Sequence, residues 1–405
     1  MAIDSGQLPH PLGLTSAQFV AAYRHLKGEK LDLYRALFRE GRTEQAGLSV
    51  AVPPVIREHR ELSPEGEVIK FVQALGSSAL RAVPSRVPLL AASSPRSSAD
   101  APRVPLLARS WGRRWADPHA APETPPTPPE TESVLIPMIG RTGQSTYTLC
   151  VSSQVGCAMG CTFCETAQMG LIRSLEAHEI VAQWFAATHL LGTRPKNLVF
   201  MGMGEPMDNL DAVIQAIAVL TDSNGAAMGI SRITVSTVGR VDGIRRLAEQ
   251  VHKPGWHRLG LAISINAPND DIRSAIMPVN RRYPMAELRR ALEAWPRYGG
   301  CKFCIEYVLI PGVNDAPPPA RQLAQFVKGL PCCVNLIPYN PRRDSPWPAP
   351  EESRVRDFLT QLTDAGAYAR RRRTKGRDLM GACGQLGNPA IRRRKVVQVG
   401  VEGRA

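Results

Sequence analysis

Beyond residue 146 the chain alternates short strand-like runs with amphipathic helical stretches, and this alternation leaves few folds open. The runs lie at 146–151, 197–201, 233–236, 259–265, 305–310 and 335–338. Between the first two, Ile180, Val181, Trp184, Phe185, Thr188 and Leu191 recur on one helical face, and Gly192 supplies a stop. Repeated strand–helix units predict an α/β fold with a parallel sheet, because a helical crossover returns the chain to the edge where the next parallel strand starts. In such folds the loops after the strands converge on one mouth.

Two of those loops carry chemistry. The first holds Cys157, Cys161 and Cys164 as C-x-x-x-C-x-x-C, and the second reads Gly202-Met203-Gly204-Glu205-Pro206. Both motifs are therefore expected at the same mouth. Three thiolates on one short loop can hold three irons of a 4Fe–4S cube and leave the fourth open to a small chelating molecule. A structural zinc knot is the competing reading. Tetrahedral zinc sites usually pair C-x-x-C motifs with a nearby fourth ligand, whereas His178 lies far downstream on the predicted helix.

The aromatic within Cys161-Thr162-Phe163-Cys164, together with Gly204-Glu205-Pro206, resembles the radical S-adenosylmethionine superfamily. Four further stretches resemble, in order along the chain, the RNA adenine methyltransferases called RlmN and Cfr. They are Thr148-Leu149-Cys150-Val151-Ser152-Ser153-Gln154-Val155-Gly156-Cys157, Ala267-Pro268-Asn269-Asp270, Asn335-Leu336-Ile337-Pro338-Tyr339-Asn340-Pro341 and Gly381-Ala382-Cys383-Gly384-Gln385-Leu386. Several motifs in a fixed order are far more specific than one. The resemblance implies a partial (β/α)6 barrel with one 4Fe–4S cluster on Cys157, Cys161 and Cys164. It places S-adenosylmethionine on Gly204, Glu205, Ser236, Ser264, Ile265, Asn266 and Asn340. Family members more often carry Ser-Leu-His where this chain has Ser264-Ile265-Asn266, and Asn cannot titrate.

The resemblance also implies an activity: methylation of an adenine carbon, carbon 2 ahead of carbon 8, in 23S ribosomal RNA, with transfer RNA as a further candidate substrate. An aromatic carbon has no lone pair with which to attack a sulfonium, so a radical route is needed. In the family a cysteine equivalent to Cys383 is methylated first, a second S-adenosylmethionine supplies a radical that takes hydrogen from that methyl group, and the methylene adds to adenine. Cys150 resembles the thiol that then forms a transient disulfide bond with the methyl-carrying cysteine, and Glu132 resembles the proton acceptor. Read without the family, Cys150 is a buried strand thiol and Glu132 a surface carboxylate. The alternatives are a radical enzyme of the same barrel with another substrate, and a zinc-stabilised RNA-binding protein. The implied partners are RNA and an electron donor such as flavodoxin or ferredoxin, with a monomer as the expected working unit.

Charge agrees with an RNA partner without requiring one. Lys plus Arg number 50 against 36 Asp plus Glu, a net charge of +14, and neutralised phosphates release counterions. Arg370, Arg371, Arg372 and Arg373, with Lys375 and Arg377, lie just before Cys383 and read as phosphate-contacting, while Arg392, Arg393, Arg394 and Lys395 read as a basic tail. Nine cysteines are too sparse for a disulfide scaffold, no signal segment opens the chain, and no apolar run suffices to span a membrane. A reducing cytoplasm is the expected location. Cys301, Cys304, Cys332 and Cys333 read as structural.

The expected organisation is a small helical module and first strand at 1–75, a Pro/Ser/Arg-rich insertion at 76–131 read as disordered, the catalytic barrel at 132–387 and the tail at 388–405. Thr15 and Gln18 form a capping box for the first helix, and Leu33, Tyr34, Leu37 and Phe38 mark a second that stops near Gly41. Strand-like 67–72 and 133–136 flank the insertion, which predicts a hairpin with an enlarged tip.

Overall fold

A computed structural model describes residues 8–76, 128–140, 143–298 and 303–388. The bulk of the Pro/Ser/Arg-rich stretch, Cys301 and the basic tail after residue 388 lie outside the described residues. Ten strands form one sheet: Val55–Ser63 (β1), Gly66–Ala74 (β2), Glu130–Ile139 (β3), Ser145–Cys150 (β4), Asn197–Phe200 (β5), Ile233–Thr237 (β6), Gly260–Ser264 (β7), Phe303–Leu309 (β8), Cys332–Pro338 (β9) and Ala369–Arg371 (β10).

From β4 to β10 every neighbour pairs in parallel and in chain order. The six strands expected from the sequence thus form the barrel wall. β10 is an addition: Ala-Arg-Arg has no apolar signature and reads in sequence only as charge. β9 starts at Cys332, so Cys332 and Cys333 lie in the strand rather than before it.

On the other side of β4 the sheet continues antiparallel through β3, β2 and β1. Ala74 pairs with Glu130 and the Leu75 amide donates to the Pro129 carbonyl at 2.8 Å. The two ends of the insertion are thus the two arms of a hairpin, as expected. β3 begins at Glu130, inside the stretch read from composition as insertion, because Glu130 and Thr131 pair with β2. β1 was not anticipated. It is an edge strand whose Val-Ile-Arg-Glu-His-Arg-Glu-Leu-Ser sequence is mostly exposed, and charge on an edge discourages pairing with other chains.

Helices cover the outside of the barrel, and the N-terminal helices Ser16–Ala22 and Lys30–Glu40 pack on them. Their capping box and the Gly41 stop, with φ of 74°, occur where the sequence places them. Phe19, Tyr34, Leu37 and Phe38 are buried in the same apolar core as Trp184 and Phe185 of helix Ala177–Phe185. Among the described residues no helix is long and apolar enough to cross a membrane.

Candidate active site

The cysteine loop leaves the carboxyl end of β4 and is closed at its base by a short ribbon, Gln154–Gly156 paired antiparallel with Leu171–Ser174. At this base the Cys157 amide donates to the Gly170 carbonyl at 2.9 Å. Gly156 has φ of +75°, and a Cβ there would sit 1.9 Å from the Gly170 oxygen, so only glycine closes the loop. Gln168 braces the inside, its Nε2 donating to the Cys164 carbonyl at 3.1 Å.

The second motif is stitched to this loop. The Met203 amide donates to Ser152 Oγ at 2.8 Å and the Glu205 amide to Gln154 Oε1 at 2.9 Å. Gly204 has φ of +100°, and a Cβ would approach Gln154 Cβ to 2.5 Å. Glu205 is buried; its carboxylate accepts from the Met207 amide at 3.1 Å and the Val238 amide at 2.9 Å, which ties this loop to the one after β6.

A cavity of about 150 Å³ opens between these loops, lined by Cys157, Cys161, Cys164, Gly204, Glu205, Ser236, Ser264 and Asn266. Burial pushes all three thiols up, with neighbouring thiols adding to Cys157 and Cys161. Such thiols stay neutral until a cation takes the proton's place, the behaviour of a thiolate ligand site. The three line one wall, and among the described residues no three His, Cys, Asp or Glu side chains are grouped around a single-ion position. A 4Fe–4S cube takes each thiolate on a different iron, so three thiols of one loop lining one cavity suit three of its irons.

Ile265 is not a cavity residue: its side chain is fully buried in the core, and its carbonyl accepts from Arg273 Nε at 3.1 Å. Asn266 stands at φ of 54°, a backbone region Asn tolerates, and its Oδ1 accepts from the Val308 amide at 3.0 Å. Its side chain is thus used to join β7 and β8. Asn340 lines a second cavity rather than the first, and its Oδ1 accepts from Arg377 Nε at 3.2 Å.

This second cavity, about 580 Å³, occupies the barrel interior. Arg232, Arg370, Arg371, Arg372, Arg373 and Lys375 line it, along with Cys150 at the end of β4 and Cys383. Different partners divide the arginine run. Arg371 pairs with Glu352 and Arg373 with Glu65, while Arg370 Nε donates to Cys333 Sγ at 3.2 Å and Arg372 lies 3.7 Å from Glu306.

Met201, Glu306, Ile337, Arg372, Cys383 and Leu386 line both cavities, so the two meet at Cys383. The C-terminal segment that carries this thiol is fixed on two sides. The Glu165 amide donates to the Gly384 carbonyl at 2.7 Å, Thr166 Oγ1 to the Leu386 carbonyl at 2.5 Å, and the Gly387 amide to Glu132 Oε2 at 2.9 Å. Glu132 is not the surface carboxylate that its type suggests: it is 7% exposed and its Oε2 lies 3.0 Å from Lys70 Nζ. Cys150 and Cys383 are both free thiols. Burial pushes Cys150 up to about 12, Cys383 adds to this, and Arg372 opposes it. Its neighbours Cys383 and Glu306 hold Arg372 above its ordinary value, against desolvation.

Three residues here escaped the sequence reading. Arg273 is fully buried and bridges the ends of β6 and β7 through the Val238 and Ser264 carbonyls; burial lowers it to about 10, and its charge faces Cys161. Arg372 was seen only as one of a basic run, and Glu306 only as one residue of an apolar strand. A lone charge inside an otherwise apolar strand is the signal that could have marked Glu306.

Residues 151–321 match the model of the Radical SAM superfamily. A probable dual-specificity RNA methyltransferase RlmN 1 from Protochlamydia amoebophila is 46% identical over 266 residues, covering 66% of this chain and 72% of that protein. The dual-specificity RNA methyltransferase RlmN of Anaeromyxobacter dehalogenans is 44% identical over 275 residues, covering 65% of this chain and 71% of its own. The crystal structure of a radical SAM methyltransferase from Sphaerobacter thermophilus superposes with a TM-score of 0.70 at 32% identity, over 93% of this chain and 98% of that one. These matches exclude a non-catalytic zinc protein. With its cysteine loop, its partial barrel and its relatives in agreement, the chain belongs to the RlmN family of radical SAM RNA methyltransferases.

Proposed function

We propose that this enzyme methylates a carbon of adenine, carbon 2 ahead of carbon 8, in 23S ribosomal RNA and in transfer RNA, with Cys383 carrying the methyl group. The observation that supports this reading is the meeting of the two cavities at Cys383, one walled by the cluster cysteines and the other by cations. When bound, a 4Fe–4S cluster on Cys157, Cys161 and Cys164 and S-adenosylmethionine supply the methyl group and one-electron chemistry. Gly204, Glu205, Ser236, Ser264 and Asn266 form the bed for S-adenosylmethionine, Ile265 through its backbone. Asn340 reaches the site only from the side of the second cavity.

Cys383 takes the methyl group as a thiolate, the nucleophilic form of a cysteine, with Arg372 lining the same junction. Once adenine is joined to Cys383 through a methylene, a base must remove a ring proton and a thiolate must attack the Cys383 sulfur. This breaks the bond from sulfur to the methylene carbon, which keeps the electron pair and takes a proton to become the methyl group. Glu132, held by Lys70 beside the C-terminal segment, is the proton acceptor in this reading. Cys150 is the attacking thiol and ends in a transient disulfide bond with Cys383. Reduced flavodoxin or ferredoxin would supply the electron, and a monomer in the cytoplasm is the working unit proposed.

The test is mass spectrometry of nucleosides from ribosomal and transfer RNA incubated anaerobically with the reconstituted enzyme. Carbon-methylated adenosine, co-eluting with the 2-methyl standard, is the expected product. Methylation on nitrogen, or on another base, would overturn the reading.

A further inference from the structure

Glu306 on β8 is 5% exposed and lines both cavities where they meet. Its two oxygens have different surroundings. Oε1 accepts from Cys304 Sγ at 3.0 Å and from Asn335 Nδ2 at 3.0 Å, and Asn335 Nδ2 also reaches Cys304 Sγ at 2.8 Å. Burial and the Glu306 charge push the Cys304 thiol up, so it remains a donor at neutral pH. These contacts fix the carboxylate plane from the side of β9.

Oε2 is buried without a hydrogen-bond partner. Arg372 Nη1 stands 3.7 Å away, beyond bonding distance, and also lies 3.9 Å from Met201 Sδ. A buried carboxylate oxygen left without a donor is unfavourable, and a ligand donor would recover that cost. Glu306 lines the cavity junction at Cys383, where the target base must come for its ring carbon to meet a group on sulfur.

Resting on the proposed function, we infer that Glu306 selects the base, its Oε2 accepting a hydrogen bond from the exocyclic amino group of adenine. Guanine and uracil present a carbonyl oxygen at the corresponding edge, which a carboxylate repels. Sites built to bond a substrate N–H discriminate strongly against analogues that lack it, because the buried partner is then stranded. This gives the enzyme a chemical reason to choose adenine that is separate from the phosphate-directed cations.

The experiment uses a synthetic RNA oligonucleotide carrying the mapped target adenosine and a copy with purine riboside, which lacks the amino group, at that position. Methylation kcat/KM is measured for both with the reconstituted full chain and with Glu306→Gln and Glu306→Ala. The unaltered enzyme should favour adenosine by about tenfold or more; Glu306→Ala should bring the ratio towards one by losing activity on adenosine, and Glu306→Gln, whose amide keeps one acceptor oxygen, should lower the ratio less. A variant that is merely damaged loses both substrates equally, so the ratio is insensitive to misfolding. An unchanged ratio in both variants would overturn the inference, as would a rise in KM for S-adenosylmethionine alone, which would assign Oε2 to that molecule's ribose. If the unaltered enzyme methylates neither oligonucleotide, the functional reading fails and this inference with it.

Discussion

The two groups of thiols at the barrel mouth are built in opposite ways. Cys157, Cys161 and Cys164 sit on one continuous loop, closed by a ribbon at Gly156 and Gly170 and braced by Gln168. Cys150 and Cys383 are brought together from the first barrel strand and the C-terminal segment, and depend on Glu132, Lys70, Glu165 and Arg372 from four other places in the chain. The first arrangement is local and the second is tertiary. On the proposed function the difference separates what would hold the cofactor from what would hold the substrate, and it predicts that the two can be broken independently.

The largest effects should come from the local group. Replacing Cys157, Cys161 or Cys164 with Ala should abolish 5′-deoxyadenosine formation, measured by chromatography. Gly156→Ala should do the same without removing any thiol, because its Cβ cannot fit against Gly170. Retained cluster colour in Gly156→Ala would show that the ribbon is not what shapes the loop.

The tertiary group should fail by loss of stability. Lys70→Met leaves the Glu132 carboxylate buried beside the Gly387 amide alone, and removing one member of a buried pair costs about 3–5 kcal/mol. Thermal unfolding should show a lowered Tm, and limited proteolysis should release the C-terminal segment first. Unchanged melting would mean that Glu132 is not held as described.

A subtler effect concerns pH. Burial pushes the Cys150 thiol up to about 12, and the proposed release step needs its thiolate, so that step should accelerate as pH rises through the neutral and mildly alkaline range. Arg372 opposes the upward shift, so Arg372→Gln should move the rising limb of the pH–rate profile to higher pH and slow release at pH 8. A limb that stays in place would remove Arg372 from the thiol chemistry.

The smallest effect should follow from joining residue 76 to residue 128 through a short Gly-containing turn. The hairpin arms are already in register at Ala74 and Glu130, and loop length carries little cost. The shortened chain should keep its brown colour and its melting temperature.

What was legible in the sequence follows the same division. The barrel strands, the capping box at Thr15, the Gly41 stop and the cysteine loop are all set by neighbours within a few residues. Spacing therefore reports them. β10 and β1 were missed because their residues are charged and only pairing makes them strands. The burial of Glu132, the inward turn of Arg372 and the open oxygen of Glu306 depend on strands meeting across the barrel. No local pattern encodes these. Asn266 shows a third case, in which the residue standing where the family more often has His lines the cavity while its Oδ1 is engaged in joining two strands.

The most direct test of the claim that Cys383 carries the methyl group lies in the Cys150→Ala variant. Incubated anaerobically with RNA and S-adenosylmethionine, it should accumulate RNA covalently joined to the protein, with digestion placing the adduct on Cys383. Normal turnover without an adduct, or an adduct on another cysteine, would contradict the account while leaving the barrel and the cysteine loop intact.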